Sequence, residues 1–237
     1  MKTADRAGLH AGPARGAGPR GYTCAMKLWA MSDLHLSASG AKPMDVFGPE
    51  WRGHASRIES SWRRLVAPDD VVLVPGDLSW AMRLEDAGRD LDLIRSLPGR
   101  KVILRGNHDY WWRRESTNRL QKGLPPGIRL LHGRGIVVEN VGVTGTRGWR
   151  IELDDDPDAG DERVMRRELA YLERGLREIP DGVEKRIAVL HYPPFDADLE
   201  PNAFAELLAA FQLDATANAR RLKALHCSHW HAAGHLA

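Results

Sequence analysis

Four short apolar runs in this chain each lead straight into polar residues with chemical capacity. The run from Leu28 to Ser32 leads into Asp33, and Val71–Val74 leads into Gly76 and Asp77. Val102–Leu104 leads into Gly106, Asn107, His108 and Asp109, and Ile187–Leu190 leads into His191. Their length and the β-branched content of the set predict four buried strands. Between them the apolar period changes to that of a helix. Ile58, Trp62 and Leu65 share one face near residues 54–66, and Leu84, Leu91, Ile94 and Leu97 share one near 84–97. Met165, Leu169, Leu172, Leu176 and Ile179 space as a long amphipathic helix near 161–179. Strands alternating with helices predict an α/β sheet with helices on its faces. Residues 128–149 differ: Ile136–Val138 and Val141–Val143 flank Glu139-Asn140 and predict a hairpin, although Glu-Asn is a poor turn dipeptide. That hairpin suggests an antiparallel portion in a second sheet. Phe211–Ala215 is strand-like, and the acidic run Asp154–Asp158 reads as a solvated loop.

Composition narrows the class. A chain of 237 residues suits one large α/β domain or two small ones, and 43% apolar residues exclude a wholly disordered chain. No stretch approaches the ~20 apolar residues needed to cross a bilayer. The formal net charge is +2, but residues 1–27 carry Lys2, Arg6, Arg15, Arg20 and Lys27 against Asp5, which leaves about −2 for the remainder. The basicity therefore belongs to the tail, and no basic stripe is left to neutralise a nucleic acid. Residues 1–25 are rich in Gly, Ala, Pro and Arg and lack the apolar core of a secretory signal. They read as a disordered extension, or as sequence upstream of a start at Met26. Cys24 and Cys227 show neither metal spacing nor a disulfide framework, so a reduced, cytoplasmic setting is expected.

In open α/β sheets ligands bind beyond the carboxyl ends of the strands, where all four runs deliver metal-capable groups. Asp33 and His35 are two residues apart, and in an extended chain they would point to the same side. Asp77 offers a carboxylate able to bridge two cations, Asn107 an amide oxygen and His191 an imidazole. This donor set suits a pair of first-row divalent ions. His54 and His132 sit in no such context and read as structural histidines.

The ordered set Asp33-Leu34-His35, Gly76-Asp77, Gly106-Asn107-His108-Asp109 and His191 resembles the signature of calcineurin-like metallophosphoesterases. Lys42–Gly48, Gly76–Met82, Asn107–Trp112, Gly145–Trp149 and His191–Phe195 are similar to a bacterial subfamily of phosphohydrolases. The resemblance covers residues 26–215 and implies a four-layer α/β/β/α fold with two packed mixed sheets. It implies two divalent ions, manganese foremost, with iron or zinc also admitted. Asp33 and His35 would hold one, Asn107 and His191 the other, with Asp77 between them. His108 would protonate the leaving group, and Asp109 would orient and charge-stabilise His108. The activity implied is hydrolysis of a small phosphomonoester or phosphodiester by metal-activated water. Arg105 and Arg147 are candidate phosphate clamps. Trp80, Trp111, Trp112 and Trp149 either floor a pocket, Trp80 and Trp112 foremost, or pack the core.

The family's closing Gly-His-x-His motif is absent after Ala215, where residues 216–221 read Thr-Ala-Asn-Ala-Arg-Arg. Residues 216–237 instead hold His226, His229, His231 and His235. Either the tail folds back so that His229 and His231 supply the missing ligands, or a change of reading frame has replaced the motif, or the site is an incomplete variant. Two functions follow: a two-metal phosphoesterase, or a catalytically impaired metallophosphoesterase-like binding or scaffold protein.

Overall fold

The computed structural model describes residues 26–40, 42–113, 116–149, 159–195, 199–211, 213 and 215–218. Eight strands form two four-stranded sheets. β1 (Leu28–Ala30), β2 (Val71–Val74), β3 (Arg100–Ile103) and β4 (Ile128–Leu130) lie side by side in that order, all parallel. The second sheet has the order β5 (Arg134–Val138), β6 (Val141–Thr146), β7 (Lys185–Leu190) and β8 (Ala215–Asn218). Here β5 and β6 are antiparallel and the other pairs parallel.

The alternation of side chains along each strand builds the layers. Val71 and Leu73 of β2 face the second sheet, where they pack with Leu28, Val102, Val143, Ile187 and Val189. Val72 and Val74 face the other way, onto α1 (His54–Leu65) and α2 (Leu84–Ser96) through Trp62, Leu91 and Ile94. Ala188 and Leu190 of β7 point outward to α4 (Ala159–Glu178) and α5 (Ala203–Ala210), meeting Leu172, Leu176, Phe204 and Leu208. The result is helix, sheet, sheet, helix. Strands covered on both faces must be apolar at every position, which is why β2 reads Val-Val-Leu-Val. Among the described residues no helix is long and apolar enough to cross a membrane.

The short strand β4, the helix α3 (Thr117–Gly123) and α5 carry too few periodic positions to stand out in the sequence. The strand expected at Phe211–Ala215 lies later. Phe211 caps α5, its N–H donating to Leu208 O (3.2 Å), and the strand begins only at Ala215. The Glu139-Asn140 turn forms despite its dipeptide. Glu139 takes φ 52°, its carboxylate pairs with Arg100 (3.1 Å), and Asn140 O accepts from Glu184 N (2.8 Å).

Asp70 joins β1 to β2. Its carboxylate accepts from Lys27 N, Trp29 Nε1 and Ala67 N, each at 2.9 Å. Burial alone would raise this carboxyl, but the donors outweigh it and hold it below its ordinary value of 3.8. A carboxyl depressed by folding stabilises the protein above its unfolded pKa and loses that contribution as pH falls. Asp70→Asn should therefore lower the urea-unfolding free energy by about 1–3 kcal/mol at neutral pH. Its gap from wild type should narrow below about pH 4. A gap that stays constant across that range would contradict this account.

Candidate metal centre

The parallel register of β1 to β3 brings their carboxyl ends to one edge of the first sheet. Beyond that edge the chain keeps pairing through its loops. Asp33 N donates to Gly76 O (3.1 Å), His35 N to Asp77 O (2.9 Å) and Leu36 N to Leu78 O (2.9 Å). Asp33, His35 and Asp77 adopt φ 55°, 43° and 55°, a left-handed backbone that costs side-chain-bearing residues of order 1 kcal/mol each. Asp33 and His35 thus converge by left-handed turns and not by the pleat of a strand. Gly76 and Gly106 make the crossing possible. A Cβ at Gly76 would lie 2.8 Å from His191 Nδ1, and one at Gly106 would collide with the Asp77 carboxylate.

Ligand atoms of Asp33, His35 and Asp77 all lie within 4.8 Å of one another. His35 Nε2 is 3.7 Å from both Asp33 Oδ1 and Asp77 Oδ2. Burial pushes the His35 imidazole down to about 4, and the neighbouring His108, His191 and His54 add to that. At neutral pH it is an uncharged imidazole beside two carboxylates, a donor set that fits a divalent cation.

On the other side of Asp77, His191 Nδ1 lies 3.0 Å from Pro75 O. A carbonyl can only accept, so Nδ1 carries the proton and the Nε2 lone pair faces into the site. Nε2 is 2.6 Å from Asn107 Oδ1 and 3.6 Å from Asp77 Oδ2. Burial lowers the basicity of this imidazole as well. Asp77 Oδ2 therefore faces His35 on one side and His191 on the other, while Oδ1 accepts from His108 N (2.8 Å).

Asp109 is fully buried, and its carboxylate accepts five N–H bonds. Four come from the amides of Asp77 (2.9 Å), Leu78 (3.0 Å), Ser79 (3.2 Å) and Gly106 (2.8 Å), and one from Trp111 Nε1 (3.1 Å). Burial and the Asp77 charge push its carboxyl up, while these donors oppose the shift. Its hydrogen bonds hold loops, and its charge opposes the lowering that burial imposes on the His108 imidazole. His108 Nδ1 instead lies 3.3 Å from Tyr110 Oη. The Trp80 ring stacks on His35 at 4.9 Å and sits 4.3 Å from His108.

Trp112 is 1% exposed and packs in the core with Trp111, the second of the two placements expected for it, and it also lies along the wall of a cavity beside α4. Trp149 packs against the cluster that β7 forms with α4 and α5. Arg147 is 4% exposed, 3.7 Å from Glu168, and lies over the Trp149 ring. The run 154–158, Cys24, Cys227 and the histidines at 226, 229, 231 and 235 lie outside the described residues.

The family model for calcineurin-like phosphoesterases matches residues 26–233. The chain belongs to that family. Among curated proteins, this metallophosphoesterase is 31% identical over 105 residues to the [acyl-carrier-protein] phosphodiesterase PptH of Mycobacterium tuberculosis, covering 44% of this chain and 26% of that protein. It is 30% identical over 81 residues to the Gene 66 protein of Mycobacterium phage L5, covering 34% of this chain and 39% of the phage protein. The chain thus spans well under half the length of these relatives. Among solved structures, the phosphopantetheinyl hydrolase PptH of M. tuberculosis aligns with TM-score 0.49 and 17% identity over 80% of this chain and 75% of that one. A protein of unknown function from Aquifex aeolicus aligns with TM-score 0.41 and 19% identity over 81% and 90%.

Several residues that shape this metallophosphoesterase site carry no sequence signal. Glu168 is 1% exposed, accepts from Thr146 Oγ1 and stands 3.6 Å from His132 Nε2, yet it lies in an ordinary charged helix. Asp90 accepts from Ser79 Oγ and Ala38 N. His54 Nε2 lies 3.3 Å from His35 O, at the margin of the site. Replacing the five-fold acceptor Asp109 by Asn turns an amide N–H₂ toward N–H donors. Asp109→Asn should lower stability by about 3 kcal/mol or more in urea unfolding. A loss below about 0.5 kcal/mol, the range of ordinary surface substitutions, would show that the carboxylate does not hold these loops.

Proposed function

We propose that this chain binds a divalent cation through Asp33, His35 and Asp77 and presents it to a phosphate ester, with turnover impaired by an incomplete second metal position. The convergence of three ligand-capable side chains from the loops after β1 and β2 carries this reading. The sequence supports the second half, since the Gly-His-x-His motif by which the family completes its metal positions occurs nowhere in the chain.

When bound, a divalent ion supplies Lewis-acid polarisation of a phosphoryl group and activation of water. The protein's own groups would do the rest. His35 stays unprotonated at neutral pH and so keeps its lone pair for the ion. His108 stands at the mouth with Tyr110 Oη on Nδ1, which leaves Nε2 to exchange a proton with a leaving oxygen. Arg147 is a weaker candidate for a phosphate clamp, because its guanidinium already faces Glu168.

One observation favours a fully active binuclear hydrolase, manganese foremost, as the second reading. His191 Nε2 and Asn107 Oδ1 stand together facing Asp77 Oδ2 and fit a further cation. Calorimetric titration with manganese, together with hydrolysis of 4-nitrophenyl phosphate, separates the two. The proposal expects one tight site per chain, lost in Asp77→Ala. It also expects chelator-sensitive turnover at or below about 0.1 per second, two decades under a typical enzyme's ~10 per second. Two tight sites with brisk turnover would establish the second reading. Metal binding indifferent to Asp77→Ala would sink both.

A further inference from the structure

Beside the metal centre, α4 and the segments that follow β3 and β4 line a half-open cavity of about 560 Å³. Arg105, Arg113, Arg134, Arg167 and Arg174 line it, against the carboxylates of Glu168 and Glu178. Both carboxylates are already engaged. Glu178 accepts from Gly135 N (2.9 Å) and faces Arg134 Nε (3.4 Å). Glu168 faces His132, Arg147 and Arg167 at 3.6–3.7 Å. Among the described residues Arg105 and Arg113 have no carboxylate within ion-pair distance. Arg105 Nε, on a lining residue, is buried with no hydrogen-bond partner. A buried donor left unmatched costs stability, and an excess of guanidinium over carboxylate in a cavity calls for an anion. The fork of an arginine matches phosphate oxygens two at a time. Arg174 is held ready, since Nε and Nη2 both donate to Gly133 O and its guanidinium lies over Tyr171.

The cavity adjoins the metal centre through Arg113, whose guanidinium lies over the Tyr110 ring at 4.9 Å, and Tyr110 Oη is 3.3 Å from His108 Nδ1. Arg105 immediately precedes Gly106 and Asn107, and Arg113 follows the short helical turn of Tyr110–Trp112 that holds His108 and Asp109 in place. We infer that this arginine-lined cavity takes a second anionic group of the same ligand, so that the phosphate ester bound here carries a second phosphate. This rests on the metal centre as the seat of the first phosphate.

Calorimetry on the manganese-loaded full chain with thymidine 3′,5′-bisphosphate and thymidine 5′-phosphate tests it. Wild type should bind the bisphosphate at least tenfold more tightly, and Arg113→Gln with Arg167→Gln should shrink that ratio to twofold or less. Arg167 is 49% exposed, so Arg167→Gln alone is the variant to use if the pair fails to fold. Metal-dependent binding without discrimination, or a preference that survives the substitutions, overturns the cavity's role and leaves the metal centre standing. Bisphosphate binding that persists in chelator and falls only with the arginines overturns the metal centre as the first seat, and with it the ligand that spans the two.

Discussion

The ligand-bearing edge of this protein depends on one buried carboxylate. Asp109 gathers the amides of Asp77, Leu78 and Ser79 from the loop after β2, and the amide of Gly106 from the loop after β3. Those loops run side by side at hydrogen-bond distance from a common acceptor, so the spacing of Asp77 and Asn107 is fixed by backbone. Charge-assisted bonds to a buried carboxylate are the strong kind, and they stabilise the left-handed backbone at Asp77 that nothing local favours. Gly76 and Gly106 are the steric counterpart of the same arrangement. Any side chain at either position would enter the space that His191 and Asp77 occupy.

The layers and the ligand-bearing loops were legible in the sequence for a physical reason. Strands covered on both faces are apolar throughout, so Val71–Val74 and Ile187–Leu190 announce themselves, and the first polar residues after them mark the edge of the sheet. Parallel register then brings Asp33, Asp77 and Asn107 to one edge without further information. What was not legible depends on contacts between distant segments. The Asp33 and His35 side chains converge through positive φ angles, which no spacing rule supplies. Phe211 closes a helix where its apolar neighbours suggested a strand. Glu168 gives no signal because burial of one carboxylate on an amphipathic helix is decided by Thr146 and Arg147 on a different element.

The segment from Arg105 to Asp109 contributes to two neighbouring environments of opposite charge. On one side stand the carboxylates of Asp33 and Asp77 with imidazoles that burial keeps neutral, and on the other the arginines around Glu168. A cation fits the first and an anion the second. Phosphate esters are the ligand class that draws on both, because their oxygens coordinate metals and accept from guanidinium alike.

Anomalous diffraction from crystals of the full chain grown in manganese tests the central claim most directly. The account predicts a peak within bonding distance of Asp33, His35 and Asp77 together, with Asp109 still bound to its amides. A protein saturated with manganese whose peak lies elsewhere, or whose Asp33 and Asp77 carboxylates share no ion, would contradict it.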